Sequence, residues 1–191
     1  MSESLNEDGK SKYEKTNRTI MQASLYLAAF AVLESAVISA VELFYGVKDS
    51  SDPKWKNYIS EVLIFTDDTY ESSCVWMLKR GAINEQYYRA LIDCRQRRES
   101  IARGFSEILF QDVSDWNEEV VATTPPKKVE FEEQEFEVMV DLMHRIEAWR
   151  VRIEYGLTES DEHSDLESIL PVSVIGMMRI ASLAFPTNTE S

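Results

Sequence analysis

The stretch Cys94-Arg95-Gln96-Arg97-Arg98-Glu99-Ser100-Ile101-Ala102-Arg103 gathers the side chains most capable of chemistry: four guanidinium groups, a carboxylate and a thiol. On a helix of 3.6 residues per turn, Leu91, Cys94, Ile101, Ala102 and Phe105 share an apolar face, and Arg98 falls in its middle. A permanently charged group on a core-facing stripe is costly unless a carboxylate pairs it or the face lines a site. Arg95, Arg98, Glu99 and Arg103 are therefore the candidate groove or RNA-binding residues.

The wider segment from Lys79 to Arg103 holds seven basic residues against Glu85, Asp93 and Glu99, in a chain of net charge −14. One reading is internal: these arginines pair with the acidic run Glu130 to Glu137, or with Glu34 and Glu42. The other is a surface for RNA, phosphate or a protein partner, with Tyr87 and Tyr88 placed to stack on bases. Two tyrosines on a long helix also serve as ordinary packing residues.

Other chemistry finds little support. Cys94 stands among arginines, which lower a thiol pKa, but its place on the apolar stripe points to a buried, inert thiol. No Gly-x-Ser-x-Gly, phosphate-binding glycine loop or dinucleotide fingerprint occurs, and only 6 glycines are present. The two histidines are His144 and His163. Asp141-x-x-His144 is a lone fragment, whereas a ferritin-like centre needs a Glu-x-x-His pair on each of two helices. Cys74 and Cys94 lack zinc-ligand spacing. No catalytic residue, metal or cofactor is expected.

The elements that position these residues read as helices throughout. The chain has 191 residues and 44% hydrophobic content, enough for one sizeable core. Residues 1–11 form a polar, flexible arm, 12–186 a single helical domain and 187–191 a tail. A long first helix runs from about Lys12 to Tyr45 and stops at Gly46. Its apolar residues Leu25, Ala28, Ala29, Val32, Ala36, Ser39, Ala40 and Leu43 recur at helical spacing, with small side chains that permit close packing. The span from Ile20 to Tyr45 is apolar enough to be weighed as a membrane segment. Glu34 and Glu42 interrupt it and favour a buried core helix.

Asp52-Pro53 opens a second helix to about Phe65, and Thr66 to Thr69 is a turn. A third helix covers about 70–80 and stops at Gly81. Asn84 caps a fourth that reaches about Phe110. Residues 111–128 hold Trp116 and Pro125-Pro126 and read as irregular. A fifth helix spans about 129–155, with five glutamates near its start that suit a helix dipole. After an acidic loop, a last helix covers about 168–185. The sum is an all-α bundle of five to six helices. No secretory signal is visible, two cysteines suggest no disulfide framework, and a cytoplasmic setting without membrane contact follows as the expectation.

Trp76-Met77-Leu78-Lys79-Arg80-Gly81-Ala82-Ile83, followed by a helix reaching Arg97-Arg98-Glu99-Ser100-Ile101-Ala102-Arg103, resembles the HEPN superfamily of prokaryotic helical domains. The similarity covers mainly residues 70–110. It implies a HEPN-like bundle, often dimeric, of the kind found in defence and toxin–antitoxin systems. Active members carry an arginine, a polar residue after it and a histidine five positions beyond the arginine, forming a metal-independent RNase site between two protomers. Here Arg98 matches the arginine, Glu99 the polar residue and Arg103 the histidine. An arginine stays protonated and cannot take a proton near neutral pH. The resemblance thus implies a homodimer that keeps an arginine-lined groove between subunits, with the fourth helix at the interface, and lacks the usual cleavage chemistry. Glu99 would pair Arg98 or Arg103 across that interface. An acidic protein–protein interaction module with no nucleic-acid role is the alternative reading.

Overall fold

A computed structural model describes residues 4–48, 50–114, 130–155 and 171–186, with side chains from Glu14 onward and, in the fourth helix, as far as Phe105. Among these residues the structure is all-α: α1 (Ser4–Tyr45), α2 (Trp55–Glu61), α3 (Thr69–Lys79), α4 (Glu85–Ser114), α5 (Glu133–Tyr155) and α6 (Val172–Ala184). Pro125-Pro126, Trp116 and His163 lie outside the described residues.

Several boundaries differ from expectation. Helix α1 begins at Ser4 rather than near Lys12; residues 4–11 contain no proline to stop the helix from running back through them. Helix α4 extends to Ser114, so 111–114 are helical. Helix α5 starts at Glu133, which leaves Glu130 to Glu132 as the approach to it. The expected stops at Gly46 and Gly81 hold: both adopt positive φ, 62° and 71°, which glycine reaches without steric cost.

Helix α1 is the axis of the bundle and packs against each of the other five helices. Its direction relative to them follows from the contacts. Tyr26 donates to the Cys94 carbonyl (3.4 Å), while Tyr70, whose ring meets Phe30, donates to the Leu91 carbonyl (3.1 Å). Helix α4 therefore runs antiparallel to α1. The Tyr26 ring meets Phe136 and the Phe44 ring meets Trp149, so α5 runs parallel to α1. Phe136 also meets Phe185, and Ser173 bonds to Glu147, so α6 returns antiparallel to α5. Gln22 closes the circuit by donating to the Ala184 carbonyl (3.1 Å).

The stripe of α1 that enters the core is not the one expected. Ala23, Tyr26, Ala29, Phe30, Leu33, Val37, Ala40 and Val41 are buried. Ala28, Val32, Ser39 and Leu43 face outward, and Leu25 and Ala36 lie half-buried at the edges. Helix α1 is apolar on nearly every side, so periodicity alone does not choose the inward face. The large rings Tyr26 and Phe30 choose it, since they bury the most surface.

One end of the bundle is closed by rings. Phe44, Tyr45, Tyr58, Trp55, Trp76 and Trp149 form a continuous aromatic cluster. Trp76 Nε1 donates to the Tyr45 hydroxyl (3.0 Å), which donates to Glu61 (2.7 Å), and Arg80 completes the chain to Glu61 (2.9 Å).

Candidate functional site

The α3–α4 hairpin positions the arginine segment. Asp68 caps α3 by accepting from the Glu71 amide (2.8 Å), and Asn84 caps α4 by accepting from the Tyr87 amide (2.9 Å). The first turn of α3 thus arrives beside the middle of α4. Arg95 reaches across to it. Its Nη1 lies 2.8 Å from Asp68 and 3.1 Å from Glu71, and its Nε lies 3.4 Å from Glu99 on its own helix. Arg95 is half-buried and fully engaged, a clamp between two helices rather than a free ligand group.

Arg97 performs a similar task toward α5. Its Nε sits 2.8 Å from Glu135, turned too far to donate a hydrogen bond there. Its Nη2 donates to the other Glu135 oxygen (3.4 Å) and to the Glu130 carbonyl, and its guanidinium lies over the Phe131 ring. The internal pairing with the acidic run before and within α5 is therefore real for Arg97.

Arg98 corrects the opening expectation. It is exposed, and no described residue pairs with it. The apolar stripe of α4 splits. Ile101 and Cys94 turn inward and are buried, whereas Arg98 and Ala102 face solvent. No desolvation cost arises, so the position of Arg98 needs neither a buried partner nor a site. Arg103 is also exposed and folds back on the Glu99 carbonyl (3.3 Å). Within the chain, Glu99 pairs with Arg95 of its own helix (3.4 Å). The four candidate residues do lie together on one broad band of α4, but two of them are joined to each other as structural partners.

The remaining basic excess dissolves in the same way. Arg80 pairs with Glu61 and Arg89 with Glu85 (3.1 Å). Lys79 sits over the Phe65 ring and Arg145 over Tyr87. Tyr87 and Tyr88 are half-buried against the core, as packing residues. Both thiols are buried. Burial pushes Cys94 up to about 11 and Cys74 up to about 12, so each is protonated near neutral pH. Among the described residues no group of histidine, cysteine and acidic side chains is arranged to hold a metal ion.

A second feature was not singled out by sequence. Helices α5 and α6 border an open groove of about 540 Å³, lined by Glu137, Val140, Asp141, His144 on one wall and Val174, Met178, Ala181 on the other. Its lower end is pinned by a buried carboxylate. Glu147 accepts from Arg150 Nε (2.6 Å) and from the Ser173 hydroxyl (2.8 Å), which ties the start of α6 to α5. The hydrogen bond that Arg150 donates to Glu147 also raises the Arg150 pKa, the largest cause of that shift. The groove leaves a weak trace in the sequence: Glu137, Asp141 and His144 share one helical face, and α6 carries apolar residues on all sides.

No family model, curated protein or solved structure matches this chain.

Proposed function

We propose that the chain is an acidic helical protein–protein interaction module whose α5–α6 groove receives a basic, apolar-faced segment of a partner. The carrying observation is the groove itself: an apolar floor of Val140, Val174, Met178 and Ala181, with the carboxylates of Glu137 and Asp141 on one wall. Amphipathic segments dock apolar face down in such grooves, and fixed carboxylates select cationic flanks. A net charge of −14 adds long-range attraction for a basic partner and repulsion for nucleic acid. Arg80, Arg89, Arg95 and Arg97 each have a carboxylate partner, which offsets the positive charge they would present to RNA.

A second reading is a HEPN-like homodimer, without the usual RNase activity, that contacts RNA through Arg98 in defence or regulation. It is favoured by one observation: Arg98 is outward-facing and unpaired among the described residues.

A short synthetic Leu/Lys amphipathic helix and a single-stranded RNA oligonucleotide, each titrated against the full chain by fluorescence anisotropy, separate the two. In the first reading the peptide binds, its Leu/Glu counterpart does not, and Glu137→Lys with Asp141→Lys weakens it by about tenfold or more, roughly 1.4 kcal/mol. Asp67→Lys with Asp93→Lys, an equal charge change at exposed positions away from the groove, has a much smaller effect. RNA binding that Arg98→Ala abolishes, with no peptide binding, overturns the interaction-module reading in favour of the second.

A further inference from the structure

The outward face of α1 carries no exposed charge along its packed length. From Thr19 to Leu43 the exposed positions include Met21, Ala28, Ala31, Val32, Ser35 and Leu43, and none of them carries a charge. Ser24 and Ser39 complete the strip; Glu34 lies half-buried at its margin, and Glu42, five turns on from Ser24, is half-buried within it near its C-terminal end. A helix apolar on all sides is ordinarily enclosed on all sides. Here the inner face is covered by five helices, and none of the described helices covers the outer face.

We infer that a second copy of this chain covers it, in an antiparallel α1–α1 pair about a two-fold axis near Ala31 and Val32. This inference stands independently of the α5–α6 groove. Two observations select a second copy. The first is charge. Two chains of net charge −14 repel over most of their surfaces, and this strip lets them meet without bringing like charges together. The second is shape. The strip is nearly symmetric about its midpoint, with bulky Met21 and Leu43 at its ends and small Ala28, Ala31 and Ser35 near its centre. A two-fold axis there is self-complementary. It sets the Met21 end of each helix against the Leu43 end of the other and places small residues at the crossing, where backbones approach most closely. Antiparallel pairing also opposes the two helix dipoles.

The size is sufficient. At 1.5 Å per residue the strip is about 35 Å long and about 10 Å wide. With the half-buried edges Leu25, Leu27, Ala36 and Ile38, two copies bury on the order of 1,000 Å², near the lower bound for a specific contact.

Sedimentation equilibrium of the full chain, joined to engineered cysteine crosslinking, tests this. The wild type sediments at twice the chain mass, and Ala31→Arg raises the dimer dissociation constant at least about tenfold while leaving the melting temperature of the fold unchanged. Under mild oxidation Val32→Cys forms an intermolecular disulfide with itself. Met21→Cys alone does not, but mixed with Leu43→Cys it crosslinks. The native thiols are buried and give no background. A monomeric wild type, or a dimer indifferent to Ala31→Arg, overturns the inference. So does Met21→Cys self-crosslinking without the Leu43→Cys partner, which indicates a parallel arrangement. Flotation of a buffer-monomeric chain with phosphatidylcholine vesicles overturns it in favour of a lipid-facing helix.

Discussion

Cys94 shows how a residue can sit beside arginines and remain inert. Arg95 and Arg97 point away from it, toward α3 and α5, and desolvation dominates its titration. The ordinary thiol loses its proton near pH 8.5; Cys94 and Cys74 hold theirs well past that. Near pH 8 neither thiol therefore reacts with Ellman's reagent in the folded chain, and labelling rises in step with urea unfolding. Fast labelling of the native protein would contradict the burial of both. Arg98 teaches the complementary lesson. A helical wheel puts it at the centre of the apolar stripe, yet it faces solvent between buried Cys94 and Ile101, a tertiary outcome that no local pattern contains.

Helix ends were the most legible features, because caps are local chemistry. Gly46, Gly81 and Asn84 act as their residue types suggest. Asp68 was missed, hidden in what reads as a turn, and it does two jobs at once. It caps α3 through the Glu71 amide and it receives Arg95 from α4. Asp68→Ala loses both and costs about 2 kcal/mol, while Asp68→Asn keeps the cap oxygen and costs about half as much. In an Arg95→Ala background Asp68→Asn becomes nearly silent, while Asp68→Ala keeps the cost of the lost cap. Chemical denaturation of the variants measures each step; equal costs for Ala and Asn would remove the cap from the account, and a costless Asn would remove the ion pair. The α5–α6 groove was invisible at this scale for a different reason: its walls come from two helices whose pairing is not encoded within either one.

The all-α bundle was legible from helical periodicity, few glycines and well-placed stops. The inward face of α1 was not, since both of its faces are apolar and only the other five helices decide between them. That central position has a mechanical result. Because every helix rests on α1, no subset retains a closed core when it leaves. Unfolding followed by tryptophan fluorescence, which reports the aromatic end through Trp55, Trp76 and Trp149, should coincide with unfolding followed by far-ultraviolet circular dichroism. Trp116→Phe isolates that end cleanly. Two separated transitions would show that the ends of the bundle melt independently.

The hydrogen bond from Gln22 to the Ala184 carbonyl joins residues 162 positions apart. Seen in time rather than space, it means that α1 leaves the ribosome long before α5 and α6 exist to cover it. The α3–α4 hairpin, closed by short-range contacts such as Tyr70 to Leu91, is complete early. The longest of the described helices, apolar on nearly every side of its packed length, is thus the earliest of them to be synthesised and the last to be enclosed. During each round of translation it stands exposed, and its safe passage depends on what holds it until the final helix emerges.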